Sequence, residues 1–252
     1  MRDSRRAVPK ARVYVATIAI HGSLARLDDP RDLHHLTRVL RLKPGDWVKG
    51  FDGQGTQYLG RIEQIASDHL VLQLTKSRRG EADPLSITLA QALIKGDRFA
   101  WVVQKATELG VERIVPLITQ RTVVRPAAGE SQGRQSRWLR IAKEAAAQSG
   151  RARLPRVDTP EPFESFVTSF RHADLLLLPT LAVPTVPIRQ VIGRTPSPRA
   201  VTVLIGPEGD FTPEEAALAQ AHGAQAVSLG RLTLRSETAA LATLAILQHA
   251  VG

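Results

Sequence analysis

Cysteine is missing from all 252 residues, so disulfides and thiolate metal sites are excluded. Long apolar runs are missing too. Leu175 to Leu178 is typical of those present and is far too short to cross a bilayer. The N-terminus, MRDSRRAVPKAR, is basic and lacks the apolar segment of a secretion signal, so a soluble cytoplasmic protein with no membrane partner is expected. Aromatic residues make up 4% of the chain, which leaves few platforms for stacking bases. Tyr14, Trp47, Phe51 and Tyr58 are expected mainly in the core. Neither G-x-x-x-x-G-K-[ST] nor G-x-G-x-x-G occurs, which counts against ATPases and NAD enzymes and mildly against Rossmann-type methyltransferases. His34-His35 lacks a neighbouring ligand set, and adjacent helical residues point apart, so no metal is expected.

Positive charge is abundant. The formal net charge is +10, and it is unevenly placed. Residues 1–80 hold 15 Lys+Arg against 8 Asp+Glu, a balance of +7, whereas residues 81–252 hold 19 against 16, a balance of +3. Nucleic acid is the natural partner for such a surface, because neutralising phosphates releases counterions. Arginine outnumbers lysine 27 to 7, which suits forked contacts to phosphate.

The chain is long enough for two modest domains, each with its own core. Residues 12–20, 47–51, 57–65 and 70–75 are rich in β-branched and aromatic residues and predict strands. One helix interrupts them, with Asp29 as cap, Pro30 opening it, and Leu33, Leu36, Val39 and Leu40 as its apolar stripe. This pattern predicts a small closed β-barrel over 1–80, followed by a linker at 76–84. Gly53 and Gly55 belong to a turn and are structural. From residue 85 strands at 85–93, 112–117, 174–178, 201–205 and 226–229 alternate with helices at 97–109, 134–148 and 238–251. Thr212, Pro213 and Glu215 signal one more helix start through a capping box. Alternation predicts an α/β domain over 81–252 with a parallel sheet covered on both faces. Pro184 to Pro198 reads as a surface loop.

The most specific words are LIGPEGDF and LGRLTLRSETAAL, near the C-terminus. Two strand ends followed by glycine-containing loops place bare backbone side by side, as a flat ligand requires. Leu178, Pro179, Ile205, Gly206, Pro207, Gly209, Leu229, Gly230, Leu232 and Leu234 are the candidate walls. These words resemble the C-terminal signature of RsmE-type ribosomal RNA methyltransferases, which are SPOUT-class enzymes. Upstream, His35-Leu36-Thr37-Arg38-Val39-Leu40-Arg41 with Pro44-Gly45, Gln104 to Val111, and Gln148-Ser149-Gly150-Arg151 are similar to the family's other boxes, in the same order. Asp210 stands where the family usually has a second Gly, and Ala147 where it often has Glu.

The resemblance implies a SPOUT-type C-terminal domain with a deep trefoil knot, a PUA-like N-terminal domain, and a homodimer. It also implies S-adenosyl-L-methionine as cofactor and methylation of N3 of a uridine in 16S rRNA of the small ribosomal subunit. Removing the weakly acidic N3 proton leaves a developing uracil anion, which a cation such as Arg235 would stabilise. Glu237 either orients that arginine or takes the proton; a buried structural Arg–Glu pair is the competing reading. Arg12, Arg38, Arg41, Lys43, Lys49, Lys105 and Arg151 are the candidate RNA contacts, with Arg38 and Arg41 expected on one exposed helix face. Glu108 reads as solvated. Two alternatives stay open: a non-catalytic rRNA-binding or ribosome-assembly protein, and a SPOUT methyltransferase with another RNA target.

Overall fold

A computed structural model describes residues 8–251 apart from 17, 18, 81, 82, 128, 171, 172 and 196. The chain divides into two compact units, Met1–Ala82 with Ala146–Leu154, and Asp83–Ala145 with Pro155–Gly252. The first unit thus takes in a segment, 146–154, that a single cut at residue 80 assigns to the second.

The first unit is a six-stranded sheet of order β1-β4-β5-β6-β3-β2. Its strands are β1 (Ala11–Tyr14), β2 (Ile20–His21), β3 (Leu24–Leu27), β4 (Trp47–Phe51), β5 (Thr56–Ile65) and β6 (Leu70–Arg79). β1 runs parallel to β4 and the other pairs are antiparallel. The strand expected over 12–20 is two short strands, and its residues 17 and 18 lie outside the described residues, as do the basic residues 1–7. β3 is not among the expected strands, and β6 runs into the expected linker. Inward-facing Val13, Ala25, Leu27, Val48, Ile62, Leu70 and Leu72 form the core, and helix α1 (Pro30–His34) closes it with Leu33.

Asp29 caps α1 by accepting from the Arg31 and Asp32 amides, as its position predicts. The helix then widens into a π-helical turn, His35–Val39. The wider turn rotates the next side chains away from the apolar stripe. Leu36 stays buried, whereas Val39 and Leu40 turn outward, against the expectation that both belong to that stripe. Arg41 lies beyond the helix with φ of 53°, so it does not share a helix face with Arg38. At the turn after β4, Gly53 has φ of 75°, and a Cβ there would lie 2.9 Å from Leu154. The Leu154 amide donates to Gly53 O at 2.9 Å, so glycine is needed here to admit segment 146–154.

The second unit is an eight-stranded, all-parallel sheet of order β10-β8-β7-β13-β11-β14-β12, with β9 also on β8. Its strands are β7 (Ser86–Ala92), β8 (Arg113–Ile118), β9 (Arg156–Val157), β10 (Glu161–Pro162), β11 (Leu175–Pro179), β12 (Val186–Pro187), β13 (Ala200–Ile205) and β14 (Gln225–Ser228). Its helices are α2 (Arg98–Glu108), α3 (Glu130–Ser149, of which 146–149 belong to the first unit), α4 (Phe163–Ser169), α5 (Ile188–Arg194), α6 (Pro213–Ala221) and α7 (Ser236–Ala250). Both faces are covered. Leu175, Leu177, Val201, Val203 and Ile205 pack with residues of α2, α3, α5 and α7, while Leu176, Leu178 and Leu204 pack with residues of α4 and α6. This is the period-two alternation of a strand buried on both sides. The stretch 184–198 is not simply a surface loop. It contains β12 and α5, which buries Ile188 and Val191 under the sheet edge.

Candidate active site

Leaving β13 (Ala200–Ile205), the chain enters Gly206-Pro207-Glu208-Gly209-Asp210, which is tied down from four sides. Glu208 is paired with Arg98 at the start of α2, and its Oε1 also accepts from the Lys95 amide at 3.0 Å. The Arg121 guanidinium donates to Gly209 O at 2.7 Å and to Phe211 O at 3.1 Å. Asp210 Oδ2 accepts from Thr180 Oγ1 at 2.9 Å and from the Leu181 amide at 2.6 Å, clasping the loop after β11. Ser236 Oγ, in the first turn of α7, donates to Gly206 O at 2.5 Å and accepts from Gln91 Nε2 at 2.9 Å. The capping box of α6 then fixes the exit. Thr212 Oγ1 accepts from the Glu215 amide, and Glu215 accepts from the Thr212 amide. Asp210 has φ of 60°, a left-handed conformation that Asp tolerates better than most side chains. A Cβ at Gly206 would lie 3.0 Å from the Phe211 amide nitrogen. A side chain there would crowd the loop's own tight fold.

This loop, the loop after β11 and the 229–235 loop enclose a cavity of about 390 Å³. Its lining includes Pro179, Ile205, Gly206, Pro207, Leu229, Gly230, Leu232 and Leu234 from the predicted set, with Arg235. Leu178 and Gly209 are outside the lining. Leu178 is one residue out of phase and packs with the α4 and α6 side chains, and the Gly209 carbonyl is engaged by Arg121. Asp210, the departure from the family's usual Gly, lines the cavity as well; so do Thr180, Leu181, Arg98 and Ala239, which no local pattern singles out. The Arg98–Glu208 and Asp210–Thr180 links join residues 110 and 30 positions apart, which local spacing does not reveal.

Arg235 and Glu237 do not pair. Arg235 is exposed and is the N-cap residue of α7. Glu237 is buried, with Oε1 3.8 Å from Arg98 and Oε2 without a hydrogen-bond partner among the described residues. Glu237 Oε2 is thus buried without a tie to the described residues. Gln91 Oε1 is in the same condition.

The candidate RNA contacts are dispersed. Arg38, Arg41, Lys43 and Lys49 are exposed on the first unit. Arg12 is half-buried with its guanidinium 4.8 Å over the Phe51 ring, and burial lowers its pKa. Arg151 is half-buried within segment 146–154. In the second unit Lys105 is held at 2.9 Å by Glu108, which is therefore an ion-pair partner and not merely solvated.

Residues 81–248 match the model of an RNA methyltransferase domain, and residues 27–75 that of an RNA methyltransferase PUA domain. The chain belongs to the RsmE-type RNA methyltransferase family. Ribosomal RNA small subunit methyltransferase E of Synechocystis is 38% identical over 214 residues, covering 84% of this chain and 69% of that protein. The protein of the same name from Bacillus subtilis is 27% identical, covering 86% and 87%. Among solved structures, a Legionella pneumophila protein described as a methyltransferase with bound cofactor SAM superposes with a TM-score of 0.86 at 33% identity, covering 96% and 98%. Ribosomal RNA small subunit methyltransferase E from Neisseria gonorrhoeae bound to S-adenosyl methionine gives 0.81 at 29% identity, covering 95% and 97%.

Proposed function

We propose that this chain methylates N3 of a uridine in 16S rRNA of the small ribosomal subunit, with S-adenosyl-L-methionine bound in the cavity between the 205–210 and 229–235 loops. The observation that carries this reading is the cavity itself. It has the size and apolar lining of a small-molecule site, and its backbone is held in place before any ligand arrives. Pro179, Ile205, Leu229, Leu232 and Leu234 supply walls for adenine and the methionine chain. When bound, the cofactor supplies an electrophilic methyl group.

Transfer to N3 forms one N–C bond, breaks one S–C bond and releases the N3 proton. Arg235, exposed at the cavity, is assigned to the negative charge that develops on O2 or O4 of the uracil. Glu237 is assigned to positioning, through Arg98 at 3.8 Å, because its free oxygen is buried. Holding both reactants in place is the other main contribution, and such positioning offsets roughly 7–11 kcal/mol of barrier.

The finer architecture belongs to the same reading. We infer a knotted second domain. The family membership supports it, and so does the return of α7, which follows β14 but packs on α2 and β13 with Ser236 bonded to Gly206. The first unit is read as a PUA-like domain that carries RNA contacts in a protein of the cytoplasm; no strand pair among the described residues joins β1 to β2, so its sheet is not the closed barrel expected over 1–80. A homodimer is supported by α7, which leaves Leu241 and Ile246 half-covered and Ala245 exposed, and by exposed Trp101 on α2. Light scattering across a dilution series tests it; a monomer active at all concentrations would remove the dimer.

The test of the activity is transfer from labelled cofactor to small subunits of a strain lacking the modification, followed by nucleoside mass spectrometry. The expected product is 3-methyluridine. Label on ribose would move the target, and binding of cofactor without transfer would favour an assembly protein.

A further inference from the structure

The turn that carries Val39 and Leu40 is unlike the rest of the first unit's surface. Val39 is 58% exposed and Leu40 39%, and no other adjacent pair of large hydrophobic residues is exposed among the described residues. Nor is the turn loose. Leu33 and Leu36 root it in the core, and Thr37 Oγ1 donates to Leu33 O at 2.7 Å. The Leu40 amide donates to His35 O at 2.9 Å and the Leu42 amide to Leu36 O at 3.0 Å. A π-helical turn followed by a left-handed non-glycine residue, Arg41, costs conformational energy that regular helix would not. Exposed Arg38, Arg41 and Lys43 flank the apolar pair. The nearby acid Asp46 is engaged by Lys10 at 2.6 Å and by the Lys43 amide at 2.9 Å, which leaves the flank positive.

A rigid apolar tip ringed by cations is well matched to RNA. Polyanionic RNA supplies phosphates for the ring and base faces for the tip, and apolar side chains inserted at a base step are a known way of reading nucleic acid. An acidic membrane would also offer anions and an apolar phase, but residues 27–75, which carry the turn, match an RNA methyltransferase PUA domain, and a second copy of the chain would match only the apolar tip.

We propose that the 35–43 turn is a wedge that reads RNA: Val39 and Leu40 pack against an unstacked base of the substrate while Arg38, Arg41 and Lys43 hold the flanking phosphates. This rests on the rRNA reading above and adds to it a recognition device that does not depend on aromatic stacking.

The two contributions separate by their salt dependence. The full-length chain is titrated with an unmodified 16S rRNA transcript across a salt series, beside the V39S/L40S and R38Q/R41N variants. Asparagine at 41 tolerates the left-handed backbone. V39S/L40S is expected to lose about tenfold in RNA affinity at every salt concentration, with the slope of log K against log salt unchanged, because no counterion release is lost. R38Q/R41N is expected to flatten that slope by about 1–2, roughly one for each phosphate contact removed. Cofactor affinity and the unfolding midpoint stay at wild-type values in both. Wild-type RNA affinity in V39S/L40S overturns the wedge. So does a change in slope for that variant, or a drop in its mass by light scattering, which assigns the tip to a second copy. Failure of the rRNA reading shows separately, as absence of methyl transfer by the unaltered chain.

Discussion

Of the loops that line the cavity, the one after β13 is fixed and the one after β14 is open. Residues 206–211 are held by Arg98, Arg121, Ser236 and the clasp of Asp210 on Thr180 and Leu181. In the 228–235 segment the only side-chain hydrogen bonds among the described residues are local, between Ser228 and Gly230. Leu232 there is 81% exposed, and Arg235 stands in solvent. On the proposed reading the contrast divides the labour. A wall that binds a small molecule gains from being fixed beforehand, because ordering it on binding costs affinity. On that reading the open loop lends leucines to the cofactor wall and also presents Arg235 to a large nucleic acid, so it must stay accessible, and that cation acts only once charge develops in the reaction.

Breaking the open wall is expected to have the largest effect. Arg235→Ala should lower the methyl-transfer rate by about 10²–10³-fold, the scale of one lost charge-stabilising donor, while calorimetry shows cofactor affinity within about twofold of wild type. Arg235→Lys should rescue poorly, because a point charge does not reproduce the planar fork. Loosening the fixed wall comes next. Asp210→Gly keeps the left-handed backbone but releases Thr180 and Leu181, and cofactor affinity should weaken about tenfold, roughly 1.4 kcal/mol. Gly206→Val is a poorer probe. Its side chain crowds the loop's own backbone, so any loss of binding would mix with displacement of the loop.

Trimming the exposed apolar wall with Leu232→Ser should cost about threefold in cofactor affinity, since only part of a leucine's burial energy is available at so open a position. The smallest effect on the site should come from a change confined to the first unit. Burial opposes the charge on Asp52, but hydrogen bonds from Thr56 and Gln54 outweigh it and hold its pKa below the usual carboxylate value. A depressed folded pKa gives stability that is present above the unfolded pKa and lost as pH falls through the folded one. Asp52→Ala should therefore destabilise by about 1–2 kcal/mol at neutral pH, with the difference from wild type shrinking in acid. Cofactor titration should not change. Denaturation curves that stay equally separated at all pH values would contradict the role given to the carboxylate.

Local signals are the legible ones. Thr212, Pro213 and Glu215 announce α6, and apolar runs mark the strands of the central sheet, because caps and runs act over a few residues. The glycine loops mark the cavity for the same reason. Its long-range ties are hidden: Arg98, Arg121 and Thr180 reach the 206–211 loop from other elements, and nothing in their own neighbourhoods marks them. Leu178 differs from its expected place by one residue of strand parity. Val39 and Leu40 show how periodicity fails. They fit a helical stripe, but one wider turn sends both into solvent. α4 and α5 escape the sequence pattern because their apolar positions lie in short, proline-bounded segments with little room for a repeat.

The proposed division between a fixed loop that holds the cofactor and an Arg235 that serves transfer from the open loop is tested most directly by one paired measurement. Cofactor affinity by calorimetry, and single-turnover methyl transfer at saturating cofactor, are taken for wild type, Arg235→Ala and Asp210→Gly. Arg235→Ala should keep its affinity and lose its rate, while Asp210→Gly loses affinity and regains a wild-type rate once saturated. The reverse pattern, or loss of both quantities in both variants, would contradict the account.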